Sequence, residues 1–114
     1  MTYEQGEIVL IPYPFSDLSN IKQRPVLILS NNSYNSKTED IIVCGITSNI
    51  KESEYSVLLN NKDLIEGNLP IKSRIKADKL FTLKNSLVKK KIGKVDNNIL
   101  EKVNEEILKL FSLA

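Results

Sequence analysis

The chain has 114 residues, enough for one compact core and too few for two, so a single domain over residues 1–114 is expected. With 41% hydrophobic and 26% charged residues it is neither disordered nor low in complexity, and no apolar run approaches the ~20 residues that span a bilayer. A net charge of +2 is compatible with a nucleic-acid partner but does not point to one.

In chain order, residues 6–12, Gly-Glu-Ile-Val-Leu-Ile-Pro, read as a strand stopped by proline. Residues 12–20 are a loop rich in turn residues. Residues 25–30 form a second strand, with Arg24 at the junction of loop and strand and biased to extended geometry by the proline after it. Residues 31–38 are polar and turn-like. Residues 40–48 form a third strand whose apolar run predicts burial on both faces. Gly45 interrupts that run and marks a bulge or a close backbone approach. Residues 55–59 are a fourth strand, 60–66 a short helical turn, and 67–70 a break. Residues 71–83 are a strand with a polar interruption at Ala77, Asp78 and Lys79, and a last strand covers Leu87–Val88 and residues 91–95.

The C-terminal segment changes period. After Asp96, a good N-cap, Ile99, Val103, Ile107 and Leu110/Phe111 recur at helical spacing and leave Glu101, Lys102, Asn104, Glu105 and Lys109 for the other face. Short strands followed by one amphipathic helix give a β-rich α+β class: a small, strongly bent sheet or barrel with a helix against it.

The absences narrow the chemistry. Without histidine there is no Ser/His/Asp or Cys/His nucleophile, and the commonest metal ligand is missing. The glycines form no phosphate-binding loop, one cysteine makes neither a zinc site nor an internal disulfide, and the carboxylates are scattered. No metal and no cofactor are expected. Cys44 lies in an apolar run and reads as a buried core thiol. The N-terminus lacks the basic-then-apolar pattern of a signal peptide, so a cytoplasmic location is the default expectation, with no membrane contact.

What remains is Arg24, Thr47, Ser48, Ser19 and Arg74, with Asp78 and Lys79. Arginine and hydroxyls without histidine suit phosphate chemistry by electrostatic stabilisation. Each residue also fits a plainer role. Thr47 and Ser48 fit a strand cap, and Ser19 fits ordinary turn chemistry. Asp78 fits a pair with Lys76 or Lys79 on a solvated edge. Lys89, Lys90, Lys91 and Lys94 fit an edge strand kept soluble by charge. From the residues alone, the chain is a small β-rich domain with a possible phosphate site.

The order of its segments carries more. Residues 6–9 (Gly-Glu-Ile-Val), residues 14–18 (Pro-Phe-Ser-Asp-Leu) followed by Gln23-Arg24-Pro25 and the strand after it, and residues 44–48 (Cys-Gly-Ile-Thr-Ser) resemble the MazF/PemK toxins in its PemK-like variant. So do Arg74 through Asp78-Lys79-Leu80-Phe81-Thr82-Leu83, and residues 92–95 with the closing helix. The similarity runs over residues 6–112. It implies an SH3-like barrel with a C-terminal helix, forming a homodimer. It further implies a sequence-specific, metal-independent endoribonuclease toxin of a type II toxin–antitoxin system that cuts single-stranded RNA by 2′-OH attack on the adjacent phosphate. By the same resemblance Arg24 and Thr47 are catalytic, and Ser19, Gln23, Ser48, Arg74, Asp78 and Lys79 belong to the RNA groove. The partner would be an antitoxin whose acidic, disordered C-terminal segment folds into that groove. The loop from Ser16 to Gln23 is short and lacks the glycines of many relatives, so the RNA sequence preference does not carry over. Two alternatives stay open: a gyrase-directed toxin of the same fold, acting through Phe111 to Ala114, and a catalytically silent RNA- or protein-binding barrel.

Overall fold

The computed structural model describes residues 2–13 and 22–113. Its strands are β1 (Glu7–Tyr13), β2 (Lys22–Ile28), β3 (Asp40–Thr47), β4 (Ser56–Leu59), β5 (Leu64–Gly67), β6 (Ser73–Lys84) and β7 (Lys90–Val95). They form one antiparallel sheet in the order β4-β6-β3-β2-β1-β7-β5. The sheet curls into a half-barrel with one long helix, α2 (Asn97–Leu110), at the C-terminus, after the short helix α1 (Asn32–Lys37).

Apolar side chains lie on both faces of the sheet. One cluster includes Ile8, Leu27, Ile75 and Val95 and is covered by Ile99 and Val103 of α2. The other holds Val9, Ile11, Val26, Ile28, Ile41 and Val43, with Phe81 and Leu83 packed against it. Burying such a side chain contributes about 1.5–3 kcal/mol, and the continuous apolar run of β3 serves both clusters, Cys44 and Ile46 in the first and Ile41 and Val43 in the second. Asp96 caps α2, its Oδ1 accepting the Ile99 N–H at 2.9 Å. Cys44 is fully buried, and burial, then the charge of Asp78, pushes its thiol up to about 12.

The structure departs from the sequence reading at several elements. Pro12 does not stop β1. Beyond Leu10 the strand pairs with β2 but no longer with β7, so a missing N–H on the open side leaves no ladder bond unmade. β2 starts at Lys22, which sets Arg24 inside a strand opposite Ile11. The polar stretch after Ser30 is helical. Asn31 caps it by accepting the Tyr34 N–H at 2.8 Å, and its buried Asn35 bonds Ser30 and the Tyr3 carbonyl. The expected helical turn over 60–66 is a 3-10 turn at Asn61–Asp63 that leads directly into β5. Residues 85–87, part of them assigned to the last strand, form another 3-10 turn. The lysine-rich β7 is not an edge strand, since it lies between β1 and β5.

Candidate active site: an open groove where two ladders part

The β2–β3 ladder runs Ile28–Val43, Leu27–Cys44, Val26–Gly45 and ends there. Next on β2 is Pro25, which has no N–H with which to extend it. Continuing the register by two residues aligns Arg24 with Thr47, both on the face that carries Val26 and Gly45. The ladder therefore gives way at the point where a cation and a hydroxyl face outward.

The neighbouring β3–β6 ladder breaks beside the same glycine. Cys44 pairs with Leu80, but Gly45 pairs with Lys76, so Ala77, Asp78 and Lys79 form a bulge with no partner on β3. A bulge of this kind re-aims its side chains. Here it turns Asp78 and Lys79 toward the opening. Gly45 is flanked by Val26 on one side and Lys76 on the other, and its missing side chain leaves the floor hollow.

The result is a groove of about 890 Å³. Among the described residues its lining includes four cations, Arg24, Lys51, Lys76 and Lys79, against two carboxylates, Glu52 and Asp78. Thr47, Asn49 and Ser53 supply neutral polar groups, and Pro25, Val26, Leu80 and Phe81 an apolar strip. Thr47 Oγ1 accepts the Asn49 N–H at 3.1 Å. A hydroxyl that accepts from the backbone still has its proton to donate elsewhere. Asp78 Oδ1 is shielded from solvent and has no hydrogen-bond partner; Lys76 Nζ lies 3.9 Å away. No three Cys, Asp or Glu side chains among the described residues converge as metal ligands.

Of the residues singled out in the sequence, Arg24, Thr47, Asp78 and Lys79 come together in this groove. The Asp78–Lys76 pair forms, but within the groove and not on a solvated edge. Gln23, Ser48 and Arg74 are outside the lining. Gln23 is exposed and pairs with Pro12 on β1, and Ser48 is exposed just past β3. The Arg74 guanidinium donates instead to the Ile50 carbonyl (3.3 Å) and to Ser56 Oγ (3.1 Å). Ser19 lies outside the described residues. Sequence reasoning missed the segment Asn49–Ser53 and Phe81. The only local signal was the polar run Asn49 to Glu54 between two strands.

Residues 4–111 match the family of PemK-like, MazF-like toxins of type II toxin–antitoxin systems. The chain belongs to that family. Solved structures of similar fold include a mycobacterial endoribonuclease in complex with its cognate antitoxin (TM-score 0.79, 22% identity, 98% of this chain and 97% of that chain covered). A MazE–MazF structure from Deinococcus radiodurans gives a TM-score of 0.78 at 20% identity, over 100% of this chain and 99% of that one. The Mycobacterium tuberculosis toxin MazF-mt6 gives 0.76 at 22% identity, over 95% and 98%. No curated protein sequence matches the chain. The half-barrel with its C-terminal helix is the MazF-like fold. No helix among the described residues is long and apolar enough to cross a membrane.

Proposed function

We propose that this MazF/PemK-family chain is a sequence-specific endoribonuclease that cuts single-stranded RNA in the groove between Arg24 and Thr47, without a metal. The observation that carries the reading is the alignment of Arg24 with Thr47 beside a side-chain-free floor at Gly45, in a groove whose described residues supply more cations than carboxylates. Such a groove holds a polyanion by charge, while Phe81 and its apolar neighbours suit the faces of unpaired bases.

In the proposed reaction the ribose 2′-oxygen attacks the adjacent phosphorus and gives up its proton. The bond from phosphorus to the 5′-oxygen breaks, and that oxygen takes a proton from water. The products are a 2′,3′-cyclic phosphate and a 5′-hydroxyl. Arg24, always protonated, neutralises charge that builds on the non-bridging oxygens, and Thr47 donates a hydrogen bond to one of them. Asp78, a carboxylate that lines the same groove, would accept the 2′-OH proton. The chain would act in the cytoplasm as a homodimer and be silenced by an antitoxin whose acidic segment occupies the same groove.

Purified protein incubated with mixed RNA in EDTA tests the reading. Cleavage with cyclic-phosphate and 5′-hydroxyl ends is the expected result. Activity that chelation removes and magnesium or manganese restores overturns the metal-free mechanism. Absence of any cleavage overturns the nuclease assignment and favours a gyrase-directed toxin, for which the exposed Phe111 and Leu113 at the end of α2 are the residues to substitute.

A further inference from the structure

The residues from Asn49 to Ser53 belong to no strand or helix, yet four of them line the groove. Taken alone the segment is a poor wall. Residues 48–54 are all exposed, and the sequence Ser-Asn-Ile-Lys-Glu-Ser-Glu has no apolar side chain buried in the core. It is held from outside. Its first backbone N–H goes to Thr47 Oγ1 (Asn49, 3.1 Å). At its middle, Arg74 Nε donates to the Ile50 carbonyl at 3.3 Å. At its end, Lys76 Nζ donates to Ser53 Oγ at 2.9 Å. Arg74 Nη1 also donates to Ser56 Oγ, which itself donates to the Ser53 carbonyl at 2.6 Å. The segment then turns into β4 through Tyr55, whose backbone is left-handed (φ 54°) and whose carbonyl accepts the Ala77 N–H at 2.9 Å.

We infer that Arg74 is a positioning residue: its guanidinium clasps Ile50 and Ser56 and so fixes Asn49–Ser53 as the wall that sets which RNA enters and how it lies against Thr47. The inference rests on the ribonuclease reading above. Three features favour this role over a direct phosphate contact. Arg74 is opposite Thr47 in the β3–β6 ladder, so its side chain leaves the sheet on the catalytic side, yet it is not part of the groove lining. Its Nε and Nη1 already have acceptors, one in the irregular segment and one on β4. The planar fork of arginine spans a carbonyl and a hydroxyl at once, as a lysine cannot. The same clasp reaches Thr47 through the Asn49 N–H, so a shift of the wall also shifts the hydroxyl proposed to bind the phosphate.

Arg74→Gln, Arg74→Lys and Ser56→Ala test the inference, with three readouts: hydrogen exchange of the amides of residues 49–54, the cleavage rate on a mixed-sequence RNA, and the salt dependence of binding to a non-cleavable 2′-O-methyl RNA. Both Arg74 variants should exchange faster in this segment and lose about a hundredfold in rate, as expected when a reacting group is misplaced by an ångström. Arg74→Lys should not rescue. Ser56→Ala leaves the charge untouched and should lose about tenfold, the effect of one charge-assisted hydrogen bond. The slope of log affinity against log salt should stay that of the wild type. If Arg74→Gln lowers that slope by about one phosphate contact while Arg74→Lys preserves it and the segment stays protected, Arg74 binds RNA directly and the inference is wrong. Unchanged exchange in all three variants also overturns it. If the wild type cuts no RNA, the nuclease reading fails by itself; the exchange arm still decides whether the clasp holds the wall.

Discussion

Arg24 and Thr47 align across β2 and β3 just past the last pair of their ladder, Val26–Gly45. Neither side chain is needed for the apolar clusters, and Thr47 is held by a bond to the backbone of the segment that follows it. Thr47→Ala should therefore fold normally and lose about 10²–10³ in kcat, the typical effect of removing one donor to a developing oxyanion. Arg24→Ala should lose more, and Arg24→Lys should recover little, since a point charge does not reproduce the fork. Single-turnover cleavage beside a thermal unfolding curve is the check; a folded Arg24→Ala protein that cuts at the wild-type rate removes Arg24 from the mechanism.

Gly45 offers a test that touches no charged group. A Cβ built there meets Lys79 Cβ at 3.6 Å, an ordinary contact, so alanine should fit without strain. Gly45→Leu should fill the floor between Val26 and Lys76. RNA affinity is then expected to fall about tenfold or more, equivalent to ~1.4 kcal/mol, with little change in the unfolding midpoint. Equal RNA affinity for the wild type and Gly45→Leu would place the RNA elsewhere.

Asp78 separates stability from function. Its Oδ1 is buried without a hydrogen-bond partner, a costly state for a charged carboxylate. Asp78→Asn removes the charge at the same shape and should hold or raise stability by about 1 kcal/mol, while cleavage falls because the amide accepts no proton. Chemical denaturation and cleavage measured on the same sample decide it: loss of both together would make Asp78 a structural residue.

These residues also show which parts of the molecule could be read from its sequence. Local signals sufficed where the cause is local. Asp96 caps α2 as its position before an apolar 3.6-residue repeat requires. The polar interruption at Ala77–Asp78–Lys79 coincides with the bulge, where the β3–β6 register jumps from Leu80 to Lys76. Gly45 marks the register shift beside it. The helix at Asn32–Lys37 was not legible, because its residues are as polar as any turn and it is specified by the Asn31 cap and by the bonds of buried Asn35. The wall at Asn49–Ser53 was hidden for a stronger reason. Its partners Arg74 and Lys76 are 24 and 23 residues away in sequence, so no window of the chain contains both the segment and what holds it. The curled sheet with its helix was already legible from the order of strands and helix; the resemblance to MazF/PemK toxins supplied the family and singled out Arg24 and Thr47 from the several polar residues that spacing alone left open.

The thiol of Cys44 gives a prediction about opening of the fold. Burial, and then the nearby carboxylate of Asp78, pushes it up to about 12, so near neutral pH it is protonated as well as inaccessible. The thiolate is the reactive form. Alkylation of native protein should therefore proceed only through unfolding, and its rate should follow the unfolding free energy across a urea series. Rapid labelling in the absence of denaturant would show local opening of β3 under the groove.

The last prediction concerns the lysines of β7, where Lys91 Nζ bridges Glu7 and Glu66, each at 2.7 Å. Glu7 is buried and its Oε1 accepts the Glu4 N–H, whereas Glu66 is exposed. The bridge ties β1 to β5 through β7 and gives this basic strand a structural role. The hydrogen bond from Lys91 is the main reason that Glu66 is held below its ordinary 4.5, and the bonds to Glu66 and Glu7 hold Lys91 well above its ordinary 10.5. A lowered carboxylate stabilises the fold above its ordinary value, and that contribution disappears as pH falls through the lowered one; a raised amine stabilises below its ordinary value and loses the effect as pH rises through the raised one. The bridge should thus be fully effective between about pH 5 and 10 and weaken at both ends: in acid Glu66 is protonated and the cation loses one of its two anions, and in strong base the cation itself is lost. Lys91→Met should lower stability by about 1–3 kcal/mol near neutral pH, because Glu7 stays buried without its cation; the amine is half exposed, which keeps the loss below that of a fully buried pair. The variant should also flatten the acid limb of the stability profile. Urea midpoints measured from acid to alkaline pH for both proteins test this, and parallel profiles offset by a constant would show that the bridge does not control the pH dependence.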